Sequence, residues 1–188
     1  MAKQPVSKDL FGHPVSQRRP RYEAALERAE KRALPDRAAR VRWLYDTIPK
    51  GGMFGMPLET LLVFQEAKSS FIYGHFVATI VLTASFVEHW LAGNLDGLGY
   101  HKESAQGLAA TIKCARTNDL VIPLILDKAD HLRLIRNPFV HLKPFEHEHT
   151  IGQRARAKDT DHATLLENDA KEALIAMYGV AAYAFSGR

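Results

Sequence analysis

A single cysteine, Cys114, stands in 188 residues. That excludes an internal disulfide framework and any thiolate zinc cluster. With no His-Asn pairing that points to a nucleophile, Cys114 reads as a small core residue in a reducing compartment. Alternation of period two is almost wholly missing, which argues against sheets and for an all-α fold. There is no internal repeat, glycine-rich phosphate loop, serine nucleophile elbow or DNA-reading motif set. The first thirty residues hold no apolar run with a cleavage site, so the expected location is the cytoplasm. The most apolar run, residues 71–98, is interrupted by Thr79, Thr83, Ser85, Glu88 and His89. A bilayer needs about 20 apolar residues with few polar breaks. The run is therefore expected to be a buried central helix, with no membrane partner.

What is present is ordinary for a globular protein: 46% hydrophobic and 24% charged residues, enough for a sizeable core. The charge is unevenly spread. The net charge is +4, yet residues 1–50 alone hold twelve Lys and Arg against six Asp and Glu. The main body is thus slightly acidic and the N-terminal arm basic, an asymmetry that suggests either a nucleic-acid or acidic partner or a solvated basic surface.

Residues 1–20, with three prolines and no periodicity, are expected to form a disordered or loosely packed tail. Residues 21–56 read as a basic helical arm and linker. Tyr22, Ala25, Leu26, Ala29 and Ala33 recur at helical spacing, with Glu27 and Lys31 as an i,i+4 pair. Pro35 is expected to stop that helix and Asp36 to cap the next, which carries Val41, Leu44 and Ile48. PKGGMFGMP, residues 49–57, is a loop by its glycine and proline density. Residues 57–188 read as one helical domain. A helix from Leu58 is interrupted at Gly74, and a long apolar helix follows from His75 to about Leu95. Shorter helices are expected over Glu103–Cys114 and Leu120–Ile135, then a polar irregular stretch from Pro144 to Asp161. A last amphipathic helix runs to Phe185.

The stretch RLIRNPFVHLKP, residues 133–144, closes the Leu120–Ile135 helix with an arginine, an asparagine and a histidine. Arg136 and His141 are five residues apart, which on a straight helix places them about 140° from each other. Pro138 removes a backbone donor and disfavours the α conformation at Asn137. A kink there would turn the pair toward one cleft; alternatively, His141 caps a helix terminus, where its cationic form suits the dipole. A second candidate is a metal site from His141, His147 and His149 with Glu146 and Glu148. The spacing fits no helical ligand pattern, and a solvent-facing loop is the simpler reading, so no metal is expected.

These elements together resemble domains of the HEPN superfamily. EAKSSFIYGHFVATIVLTASFVEHWLAGNL, residues 66–95, looks like that family's first hairpin: helix, glycine, then a second apolar helix bearing an acidic residue. HLRLIRNPFVH, residues 131–141, is similar to its Arg-polar-x-x-x-His signature, and TLLENDAKEALIAMYGVAAYAF, residues 164–185, to its closing helix. The resemblance covers about two-thirds of the chain and leaves out the basic arm. It implies a helical bundle of four to five main helices and a metal-independent ribonuclease, with no cofactor. It also implies a homodimer, and a toxin–antitoxin or phage-defence setting with an antitoxin or regulatory protein as a further partner.

The resemblance assigns Arg136, Asn137 and His141 as the catalytic set, with Glu88, Arg133 and Lys143 in support. Histidine is the residue type commonly used as a general base or acid, which suits His141 for the 2′-hydroxyl. Arg136 suits a phosphate through two parallel hydrogen bonds, and Asn137 would position either group. Glu88 would orient Arg136 or His141, or else form a buried ion pair with Arg133 or Arg136 that shapes the fold. Arg18, Arg19, Arg21, Arg37 and Arg40 of the arm would supply sequence-independent attraction to RNA. Two rivals stand beside this reading. One is a non-catalytic HEPN-like module that docks a nucleotide or a protein. The other is a phage-derived DNA-associated structural protein, since DLFGHPVSQRRPR, residues 9–21, faintly resembles tails of phage DNA-packaging proteins.

Overall fold

The computed structural model describes residues 21–48 and 56–185. Those residues are all-α: eight helices and no strand. The chain divides into two compact units, the second beginning at Ala39.

Helix α1 (Arg21–Thr47) carries Pro35 inside it, where a stop and a fresh start were expected. The missing donor costs about 3 kcal/mol in a helix interior. The flanking Ala, Leu, Glu, Lys and Arg residues are among the strongest helix formers and keep the backbone helical across it. In the first unit Arg37 pairs with Glu30 along the helix, and Tyr22, Leu26 and Leu34 are exposed.

The second unit is organised around α3 (Phe76–Gly97). Helix α2 (Leu58–Tyr73) reaches it through a turn at Gly74, whose φ of +80° is the left-handed conformation that glycine adopts without strain. The Gly74 and His75 amides donate to the Phe71 and Ser70 carbonyls, closing the C-terminus of α2. Helix α3 then packs against α2, α8 (His162–Phe185), α6 (Pro123–Val140) and α5 (Leu108–Thr117). Ile80, Ala84, Phe86 and Val87 are wholly buried. Opposite them α8 presents Ala170, Ala173, Ala176 and Ala181, whose small side chains admit a close approach, with Leu174 and Met177 filling the space between.

By length and composition α3 could also cross a membrane. Its buried Thr79 and Thr83 hydroxyls donate to the carbonyls of His75 and Thr79, so neither carries an unmet hydrogen bond into the core. Phe64 of α2 meets Phe86 and Tyr178 with ring centroids 5.4 and 4.9 Å apart. Burial among these rings raises the Tyr178 hydroxyl above its ordinary pKa.

Three other boundaries differ from expectation. The Glu103–Cys114 helix is two helices, α4 (His101–Ser104) and α5, parted where Gly107 takes a φ of +85°. Helix α6 runs through Asn137 and Pro138 without a restart. The stretch expected to be irregular contains α7 (Ile151–Ala157), capped by Thr150, whose hydroxyl accepts from the Gln153 amide. An Arg154–Asp169 pair ties α7 to α8 through two hydrogen bonds of 2.6 and 2.5 Å, with Asp169 only 1% exposed.

Helix α8 opens with Asp161 as its cap: one carboxylate oxygen accepts from the Ala163 and Thr164 amides, each at 2.9 Å. Hydrogen bonds from Thr164, side chain first and then backbone, hold the Asp161 carboxyl below its ordinary pKa. A depressed folded pKa stabilises the fold above the unfolded value and loses that contribution as pH falls through the folded one. Asp161→Ala is therefore expected to destabilise the protein at pH 7. The gap from the wild type should close as thermal unfolding is repeated from about pH 5 downward, through the carboxylate range.

Candidate functional site

Arg136 stands near the end of α6 and reaches across to α3. Its guanidinium donates to the Glu88 carboxylate at 3.0 Å, with the two side chains 17% and 30% exposed. The α4–α5 turn passes the other Glu88 oxygen, and a Cβ on Gly107 would lie 3.5 Å from it. A carboxylate held in this way fixes the guanidinium on the α3 side of α6 and leaves its remaining N–H groups for a second acceptor. Of the two partners expected for Glu88, Arg136 is the one it takes; Arg133 donates instead to Asp130, 2.7 Å away on its own helix.

His141 is the C-cap of α6, with extended backbone angles of −132° and 127°. Its amide donates to the Asn137 carbonyl at 2.9 Å, while its exposed ring makes no hydrogen bond to another described residue. Lys143 and Asn137 are partly exposed, and their side chains likewise make no hydrogen bond to a described residue. Because α6 continues through Pro138, Arg136 lies within the helix while His141 is the non-helical residue that ends it, and no hydrogen bond joins their side chains. Within one chain, then, Glu88 and Arg136 are brought together and His141 is not. Val140, Leu142 and Phe145 around His141 are 41%, 101% and 75% exposed, an unusual density of apolar side chains in water.

The arginines assigned to the arm have different surroundings. Arg18 and Arg19 lie outside the described residues. Arg21 is exposed, and Arg37 pairs with Glu30. Arg40 is part of the second unit's packing. Its guanidinium lies 5.0 Å from the centroid of the Phe76 ring, donates to the Ile72 carbonyl at 3.4 Å and stands 3.8 Å from Glu167. A cation there meets the orphan carbonyls at the end of α2, a helix-capping role. Among the described residues no three His, Cys, Asp or Glu side chains converge on a common point. In the EHEH stretch, residues 146–149, His147 uses Nδ1 to accept from the His149 amide, which commits that nitrogen to the loop backbone.

The sequence reading missed the Arg154–Asp169 clasp and His131, which hydrogen-bonds Glu172 across α6 and α8 at 3.0 Å. The Thr-x-x-Gln spacing of Thr150 and Gln153 was a capping signal for α7, whereas no local pattern marks Asp169 as its anchor.

Glu88→Gln keeps the shape and removes the charge from the α3–α6 contact. It is expected to cost about 1–2 kcal/mol in urea unfolding, between the limits for exposed and buried pairs. Arg136→Met in the Glu88→Gln background should recover part of that loss, and a double-mutant cycle gives the coupling. No family model, curated protein or solved structure matches the chain.

Proposed function

We propose that the chain is a metal-independent endoribonuclease of HEPN type, acting in the cytoplasm as a homodimer in a toxin–antitoxin or phage-defence setting. The observation that carries this reading is the Glu88–Arg136 pair. An acidic side chain on the apolar central helix holds the arginine of the RN…H motif, the role the resemblance gives it. Glu88 is in this reading a positioning residue. His141, on an exposed and uncommitted ring, takes the proton from the RNA 2′-hydroxyl. The oxygen then attacks the neighbouring phosphorus as the bond to the 5′-oxygen breaks. The 5′-oxygen leaves as a hydroxyl, taking a proton from protonated His141 or water, and the 2′,3′-cyclic phosphate remains. Arg136 bears the charge that develops on the phosphoryl oxygens. The working site combines the motifs of two copies, as the resemblance implies. The exposed Val140, Leu142 and Phe145 beside His141 support an interface at that point. Arg21 and the other cations of the arm add attraction to the RNA backbone.

A second reading is favoured by the continuity of α6 across Pro138. If no assembly brings Arg136 and His141 to one cleft, the motif is structural, and the domain binds a nucleotide or a protein partner without cleaving RNA.

The test is cleavage of labelled RNAs of varied sequence by EDTA-treated protein. His141→Ala and Arg136→Ala are each expected to lower the rate by about 10²–10⁴-fold while helix content is kept. Absence of cleavage across the RNAs, or a rate indifferent to His141→Ala, overturns the ribonuclease reading. Nucleotide or a partner protein that co-purifies with an inert protein upholds the second.

A further inference from the structure

Away from the RN…H motif, an open pocket of about 420 Å3 lies where the end of α7, the first half of α8 and Trp43 of α1 meet. Its volume suits a small organic ligand. Trp43 packs against Phe71 with ring centroids 5.2 Å apart, and its indole also lines the pocket. Leu165 and Ile175 supply further apolar surface. The polar lining is of a different kind. The side chains of Lys158, Thr160 and Asn168 make no hydrogen bond to any described residue. An ammonium, a hydroxyl and a carboxamide are thus left uncommitted around one aromatic wall.

Their backbone positions are set by hydrogen bonds and an ion pair. Lys158 and Thr160 sit on the turn that ends α7. There the Lys158, Asp159 and Thr160 amides donate to the Arg154, Arg156 and Ala155 carbonyls, with Asp159 at a φ of +46°. That turn is fixed to α8 by the Arg154–Asp169 clasp, one residue from Asn168.

The charges point the same way. Lys171 is held by Glu167 at 2.9 Å, and its ammonium is 5.9 Å from the centroid of the Trp43 ring. Glu172, the one carboxylate of the lining, bonds His131 of α6 at 3.0 Å. Lys158 is exposed and has no ion-pair partner among the described residues.

We propose that this pocket binds a nucleoside monophosphate unit, with the phosphate at Lys158, the base taking the place of the Lys171 ammonium over the Trp43 ring, and Asn168 and Thr160 bonding the base edge or the sugar. An indole face stacks any base. A lysine meets a phosphate as a point charge, and a carboxamide offers both a donor and an acceptor. The unit is either a free mononucleotide or one residue of an RNA strand; the recognition chemistry is the same. The proposal rests on neither reading of the RN…H motif.

Isothermal titration of the full chain with AMP, adenosine, inorganic phosphate and a short oligoadenylate tests it. AMP is expected to bind saturably. Adenosine and phosphate, each lacking half of the contacts, are expected to bind about tenfold more weakly or worse. Lys158→Gln, at an exposed position, should weaken AMP by about tenfold and leave the unfolding temperature unchanged. Trp43→Phe keeps a ring against Phe71 and should weaken both AMP and adenosine. A tighter oligoadenylate assigns the pocket to a strand and equal affinities to a free nucleotide, and either upholds the proposal. No saturable heat with AMP or oligoadenylate at millimolar concentration overturns it. So does AMP affinity indifferent to both substitutions. Cleavage is not read in this experiment, so its failure and that of the ribonuclease assignment are separate results.

Discussion

Burial of α3 is the constraint on which the second unit depends. The helix is apolar around most of its circumference, and α2, α5, α6 and α8 cover it. The polar residues on its buried face need partners inside the bundle, whereas His89, Asn94 and Asp96 are exposed. Thr79 and Thr83 bond backward along their own helix. Glu88 cannot do so and takes Arg136 from α6. The need to satisfy one carboxylate on the central helix thus fixes the arginine of the RN…H motif. The same contact serves packing and places a cation with free donors beside a solvent-reaching edge. A fold requirement and a chemical opportunity coincide at Glu88, and the chemistry proposed for the motif grows from that coincidence.

The second organising contact is the Arg154–Asp169 clasp. Breaking such a pair from one side costs about 3–5 kcal/mol, because the remaining charge stays buried. Its position in the fold explains why a seven-residue helix in a polar stretch is ordered: α7 is too short to be stable alone and is anchored through one side chain. The ordered turn that follows carries Lys158 and Thr160 to the face of α8 that bears Asn168 and Lys171. Helix α8 therefore serves two faces, one closing the core with alanines and one lining the nucleotide pocket.

Much of this was legible in the residues. Gly74 marked the α2–α3 turn because no other residue takes a φ of +80° without cost. A long apolar run marked α3 and helical spacing marked α8, while the family resemblance singled out Glu88. The prolines misled for a shared reason. Pro35 and Pro138 each remove one hydrogen bond, and in both cases the surrounding helix outweighs that loss. At Pro138 the consequence is that α6 runs unbroken past Arg136 to Val140, and His141 ends it. Arg40 was counted with the cations of the arm, yet it caps α2 beside Phe76. That role depends on a contact 32 residues distant in sequence, which no local pattern encodes. Asp169 and Trp43 were hidden for the same reason: one looks like any helical carboxylate and the other like any core aromatic until α7 and α8 are brought together.

The central claim is that RNA is cut by its own 2′-hydroxyl, with His141 as the base and Arg136, held by Glu88, as the charge acceptor. The ends of the fragments report this chemistry directly. Mass spectrometry of RNA digested by the purified protein in EDTA is predicted to show 2′,3′-cyclic phosphate at the new 3′ ends and hydroxyl at the new 5′ ends. Fragments with 3′-hydroxyl and 5′-phosphate ends, or cleavage that requires an added divalent cation, would contradict it.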